Sequence, residues 1–126
     1  MEIDPRDFKE SEKDLILIHK FKKYIIVAAR VHPGESNASY IMQGFIKFIT
    51  GNSPEAVDLR RRVVFKVIPM TNPDGVIAGN YRTSLSGNDL NRCFLDPNPR
   101  LHPTVCAIKK LVRDILAQAK EPEPIQ

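Results

Sequence analysis

At 126 residues the chain has the length of one ordinary domain with a single core, and 42% hydrophobic with 27% charged residues is the balance of a soluble globular protein. The net charge of +4 suits an acidic partner, yet the basic runs "KFKK" (20–23) and "RRR" (60–62) are short and have few aromatic residues nearby. Without stacking platforms beside the cations a nucleic-acid partner is not expected, and both runs read as solvated ends of secondary-structure elements.

The first 14 residues, "MEIDPRDFKESEKD", are polar and charged and form a leader. Two β-rich runs follow, Leu15–Ile18 and Tyr24–Val31, separated by a basic turn. From Ser36 to Ile49 the residues Ile41, Phe45, Phe48 and Ile49 recur at helical spacing, with Ser36 or Asn37 available as the cap and Gly51-Asn52 as the stop. "SPEAVDLRRR" is a short helix opened by Ser53, with Pro54 at its first position. "VVFKVIPM" (63–70) is a third buried strand, "TNPDG" is a turn, and a long loop runs through "IAGNYRTSLSGNDLNRCF". The last helix spans Pro103 to about Ala119, with Ile108, Leu111, Val112 and Ile115 on one face, and the tail at 120–126 cannot continue it. Alternating strands and helices predict an α/β layered fold with parallel pairing.

Other classes are set aside by absences in the same string. Cys93 and Cys106 form no CxxC pair, so neither a disulfide framework nor a cysteine zinc site is expected. No apolar stretch approaches the ~18 residues of a membrane span, and no signal-like segment is present. The expected setting is cytoplasmic, away from membranes.

In open α/β sheets, ligands gather beyond the carboxyl ends of the strands. His32 and Glu35 lie just past the strand expected to end at Val31, and Asn72 and Asp74 lie just past the one expected to end near Met70. The long loop from Ile77 to Phe94 starts on the same edge. His32 and Glu35 supply an imidazole nitrogen and a carboxylate, both good zinc ligands, and Pro33-Gly34 bends the chain so that the two can face one point. The plainer alternative is that Glu35 caps a helix and His32 is a satisfied loop histidine. Asn91 and Arg92 offer amide donors and a guanidinium fork suited to a carboxylate, while Arg82 is a second cation suited to a carbonyl where negative charge develops. Loop arginines also commonly bind backbone carbonyls or a neighbouring acid.

Three strings, "RVHPGES", "IPMTNPDGVIAGNYR" and "SGNDLNRCF", in this order and spacing, resemble the zinc metallocarboxypeptidases, and most closely their cytosolic branch, which trims glutamates from tubulin and other acidic tails. The resemblance runs from about Tyr24 to about Val112. It implies a partial α/β/α sandwich with a mixed, mainly parallel sheet over 15–119, the N-terminal half of a catalytic domain that hydrolyses a C-terminal peptide bond with one zinc ion. It also implies that His32 and Glu35 are zinc ligands, Glu35 through both oxygens. Arg82 would polarise the scissile carbonyl, and Asn91 and Arg92 would grip the terminal carboxylate of a peptide or protein tail.

The departures from the family pattern shape the expectation as much as the match does. The third zinc ligand, a second histidine, and the general-base glutamate are both expected beyond this chain, so this fragment alone is expected to be inactive. His102 in "LHPTV" precedes a proline-started helix and His19 lies in the first apolar run, which makes both poor replacements. Two other readings share features with this one. N-acyl amino acid deacylases also combine an H-x-x-E pair with a "DLNR" string, although the "NPDG" turn followed by Arg82 speaks against them. A non-catalytic binder of carboxylate tails would keep Arg82, Asn91 and Arg92 without the base.

Overall fold

β-Branched and aromatic residues dominate the segments Lys23–Ala28 (β1) and Val63–Ile68 (β2), and in the computed structural model, which describes residues 22–119, these are the two strands of a parallel sheet. Lys23 stands opposite Val63 and the register continues without a bulge to Ala28 opposite Ile68. Parallel strands need a crossover, and it is supplied by helices α1 (Ser36–Ile49) and α2 (Pro54–Arg62). Beyond β2 come a short helix α3 (Pro73–Ile77), a 3₁₀ turn (Leu90–Arg92) and helix α4 (Pro103–Ala119). The α/β expectation is met, with the described sheet wholly parallel.

Local chemistry accounts for the boundaries. Ser53 Oγ accepts the Ala56 N–H at 3.2 Å with Pro54 at the first helical position, so α2 starts where the sequence says it should. Arg60, near the end of α2, donates to the carbonyls of Ile49 and Gly51 and so satisfies acceptors that α1 leaves open at its C-terminus. Phe45 on α1 meets Phe65 on β2 edge to face, with centroids 5.8 Å apart. Among the described residues Met42, Ile49, Ala56, Leu90 and Val105 are the buried hydrophobic ones. Val105 is fully enclosed, whereas Val112, expected on the inner face of α4, is exposed.

Several boundaries differ from expectation. β1 stops at Ala28 rather than Val31, because Arg30 turns the chain with φ +52°. β2 stops at Ile68 because Pro69 has no N–H for the ladder. The α1 N-cap position falls on Glu35, not on Ser36 or Asn37, and no side chain caps that end. "TNPDG" is the start of α3 and not a simple turn: Asn72 Oδ1 accepts the Gly75 N–H at 3.0 Å and Pro73 opens the helix. The first apolar run, Leu15–Ile18, and His19 lie outside the described residues. No helix among the described residues is long and apolar enough to cross a membrane.

Backbone pairing continues past the strands and sets the position of the loops. Ala29 N–H donates to Ile68 O, Thr71 N–H to Ala29 O and Asn72 N–H to Arg30 O, at 3.0, 2.9 and 3.2 Å. The segments after β1 and β2 therefore leave the sheet side by side, and Gly75 closes the junction. A Cβ there would stand 2.6 Å from Pro33 Cγ and 2.7 Å from both Asn72 Oδ1 and the Thr83 carbonyl. Gly75→Ala should destabilise the protein by ~1–3 kcal/mol through this overpacking. The check is urea unfolding of the two proteins, and equal midpoints would show that the three segments do not approach this closely.

Candidate active site

His32 is buried at the start of the loop that follows β1, and both of its ring nitrogens are engaged. Nδ1 lies 3.0 Å from Glu35 Oε1, and Nε2 lies 3.0 Å from Asp89 Oδ1. The intervening Pro33-Gly34 makes the tight bend, closed by the Glu35 N–H on the His32 carbonyl at 3.2 Å. Gly34 also donates its N–H to the Tyr81 carbonyl at 2.7 Å, and a Cβ on Gly34 would fall 2.5 Å from the Tyr81 ring. Only glycine lets the two loops touch at that point. Asn72, itself buried, donates to the Val31 carbonyl at 3.3 Å and holds the approach to His32 from the β2 side.

Asp89 is the centre of the arrangement. Its Oδ1 accepts from Asn91 N–H at 2.9 Å besides facing His32, and its Oδ2 is clasped by Arg82 Nε at 2.9 Å and Nη2 at 2.8 Å. Burial by itself pushes the Asp89 carboxyl up, but the bonds from Asn91 and His32 and the charge of Arg82 outweigh it and hold the carboxyl below its ordinary value. The carboxylate is therefore kept ionised beside the imidazole. Arg82 remains half exposed, with Nη1 free of any partner among the described residues.

The residues singled out in the sequence are brought together unevenly. His32 and Arg82 converge on Asp89, and Glu35 joins them through His32. Asn91 lies on the 3₁₀ turn that Asp89 caps and that buried Leu90 pins, and with Glu35 and Phe94 it lines an open cavity of about 480 Å³. Arg92 is exposed beside it, off the cavity wall, and its side chain makes no hydrogen bond or ion pair among the described residues. Asn72 has a structural task, and Asp74 is exposed. His102 is buried away from this cluster, accepting the Asn98 N–H on Nδ1 at 3.0 Å with Asn88 and Cys93 at Nε2. Asp89 was not singled out by the sequence reading. Its place two residues before Asn91 signals a turn cap, but its partner His32 is 57 residues away.

The donor set fits a zinc ion. Glu35 stands at the N-cap position of α1, yet its carboxylate caps nothing, and its side chain is 50% exposed. A hydrogen-bonding cap is therefore not what Glu35 provides to α1. A metal-ligating imidazole is neutral with one N–H, which Asp89 can accept here, leaving the other nitrogen and Glu35 to face a cation together. Tetrahedral zinc with ligands at ~2.0–2.2 Å spaces them at about 3.4 Å, close to the 3.0 Å between Nδ1 and Oε1. Asp89 on the far nitrogen is the partner that a metal-ligating histidine ordinarily has. Among the described residues no group of three or more His, Cys, Asp or Glu side chains is arranged to hold a metal. His32 and Glu35 thus form a pair.

Comparison with known proteins gives this geometry its context. The zinc carboxypeptidase family model matches residues 11–113. The chain is 52% identical over 101 residues to cytosolic carboxypeptidase 1 of Mus musculus, which covers 80% of this chain and 8% of that protein. It is 53% identical over 91 residues to cytosolic carboxypeptidase 6 of Mus musculus, covering 72% of this chain and 17% of that one. Among solved structures, a metallo-carboxypeptidase from Burkholderia cenocepacia superimposes with a TM-score of 0.72 at 37% identity, over 75% of this chain and 26% of its own. The chain spans a small part of each of these relatives, and that part holds the His32–Glu35 turn and the Asp89–Arg92 loop. It belongs to the zinc carboxypeptidase family.

Proposed function

We propose that this chain supplies part of the active site of a zinc-dependent metallocarboxypeptidase that removes C-terminal residues, glutamates in the first place, from acidic protein tails in the cytoplasm, with tubulin among the candidates. The observation that carries the reading is the His32–Glu35 pair, a ligand couple whose imidazole is fixed from behind by Asp89. The names of the cytosolic carboxypeptidase relatives support a carboxypeptidase of the cytosol, and the net charge of +4 suits an acidic tail as substrate. Among the described residues no third metal-ligating side chain joins this pair, so this reading needs a further zinc ligand and a general base besides them.

When bound, zinc supplies Lewis acidity toward a carbonyl oxygen and a more acidic water. His32 and Glu35 would hold the metal, the imidazole through the nitrogen that faces Glu35, while Asp89 fixes the ring from its other nitrogen. Arg82, restrained by Asp89, keeps Nη1 for the oxygen of the scissile carbonyl as charge builds there. Asn91 projects beside Glu35 in the cavity, and with Arg92 it receives the terminal carboxylate. Recognition of that carboxylate makes the enzyme an exopeptidase.

The direct test is release of amino acid from a short acidic peptide with a free or an amidated C-terminus, using the full-length protein. Release from the free form only, abolished by chelation, is the expected result. A tail-binding protein would prefer the free form and release nothing, and a deacylase would cleave an N-acyl amino acid instead. Within this assay the two arginines separate. Arg82→Ala should lower kcat by ~10²–10³ and leave the preference for a free terminus intact, because its interaction strengthens in the transition state. Arg92→Ala should chiefly raise KM and erode that preference, since the carboxylate is charged throughout. Exchanged effects would exchange the roles.

Asp89 makes a second prediction. Asp89→Asn removes the charge behind His32 and one acceptor of Arg82. Zinc affinity of the full-length protein should fall about 10–100-fold, read by competition with a chelator. Affinity equal to that of the unaltered protein would take Asp89 out of the metal site.

A further inference from the structure

Arg30 lies between the end of β1 and the His32–Glu35 turn. Among the described residues it is the one non-glycine with a positive φ, +52°. In that left-handed region a Cβ crowds the neighbouring carbonyl, and glycine is the ordinary occupant. An arginine that stands there is accounted for by something its side chain does. The guanidinium folds back over its own loop, donating from Nε to the Pro33 carbonyl at 2.8 Å and from Nη1 to Ser39 Oγ at 2.6 Å. One acceptor is inside the turn and the other is in the first turn of α1, so the fork brackets Glu35. The Arg30 carbonyl meanwhile accepts the Asn72 N–H at 3.2 Å, which ties the same residue to the segment after β2. Glu35 has no capping bond of its own to fix it at the head of α1.

We infer that Arg30 is a positioning residue for the His32–Glu35 pair: its guanidinium clamps the Pro33 carbonyl to Ser39 and so fixes how far Glu35 stands from His32 Nδ1. The inference rests on the reading of that pair as zinc-holding. Glycine at position 30 would suit the backbone and lose the clamp. Lysine would carry the charge but reach one acceptor, because an ammonium lacks the rigid fork. Neither acceptor is an acid, so the clamp works through hydrogen-bond geometry rather than charge neutralisation.

The test is zinc affinity of the full-length protein by chelator competition, beside thermal melting of its zinc-free form. Arg30→Gly should weaken zinc about 10–100-fold, the range for partners that orient metal ligands, while the melting temperature moves little because backbone relief offsets the lost bonds. Arg30→Lys should recover part of the affinity. Ser39→Ala removes the far acceptor without touching the turn's backbone and should weaken zinc severalfold; it decides alone if Arg30→Gly does not fold. His32→Ala, as reference, should abolish binding. Wild-type zinc affinity in Arg30→Gly and Ser39→Ala, beside loss in His32→Ala, would overturn the clamp and leave the metal pair standing. Wild-type affinity in His32→Ala would overturn the metal reading and the clamp with it.

Discussion

One carboxylate, that of Asp89, joins three separate stretches of chain. It faces His32 from the loop after β1, Arg82 from the loop after α3, and the Asn91 N–H of the turn it caps. Each partner has a different demand on it. The turn needs an acceptor for an orphan N–H, the arginine needs a counter-charge, and the imidazole needs something to set its tautomer and plane. A neutral side chain could meet the first demand but not the other two together. Because all three converge on one group, the position of the imidazole is coupled to the position of the guanidinium. The imidazole and the guanidinium are held as one unit.

The unit can exist only because the backbone brings these loops to one edge. The hydrogen bonds that run on from the parallel pair, through Ala29, Thr71 and Arg30, deliver His32 and Asn72 to neighbouring positions. Two glycines then permit approaches that any side chain would block: Gly34 against Tyr81 and Gly75 against Pro33 and Thr83. The glycines, the positive φ of Arg30 and the buried Asn72 belong to the same constraint, which is loop-to-loop closeness at the carboxyl end of the sheet.

Much of this was legible in the sequence, and the limits are physical. Elements with a local signal came through: α1 over Ser36–Ile49, α2 with its Ser53-Pro54 start, and α4 from Pro103. His32, Glu35 and the Asn91-Arg92 pair were visible as chemically apt residues past strand ends. What escaped depends on tertiary contacts. Arg30 looked like part of a β-rich run, and nothing local says that its φ is positive. "TNPDG" has the composition of a turn and of a helix start alike, and the side-chain bond from Asn72 to Gly75 decides between them. Asp89 announces a cap, while its role at His32 needs a partner in a distant loop.

Charge arithmetic within the cluster bears on what it is built to receive. Arg82 and Asp89 neutralise each other at 2.8 Å, while Glu35 faces a ring nitrogen whose opposite nitrogen already belongs to Asp89. A cation seated against Nδ1 and Glu35 would meet a carboxylate and a ring nitrogen at once. It would do so without disturbing Asp89, whose bonds all lie on the far side of the ring. The same commitment shapes Arg82: clasped through Nε and Nη2, it can turn Nη1 outward but cannot swing to Glu35 and quench the site. With the arginine held to Asp89, the Glu35 carboxylate stays open to a cation.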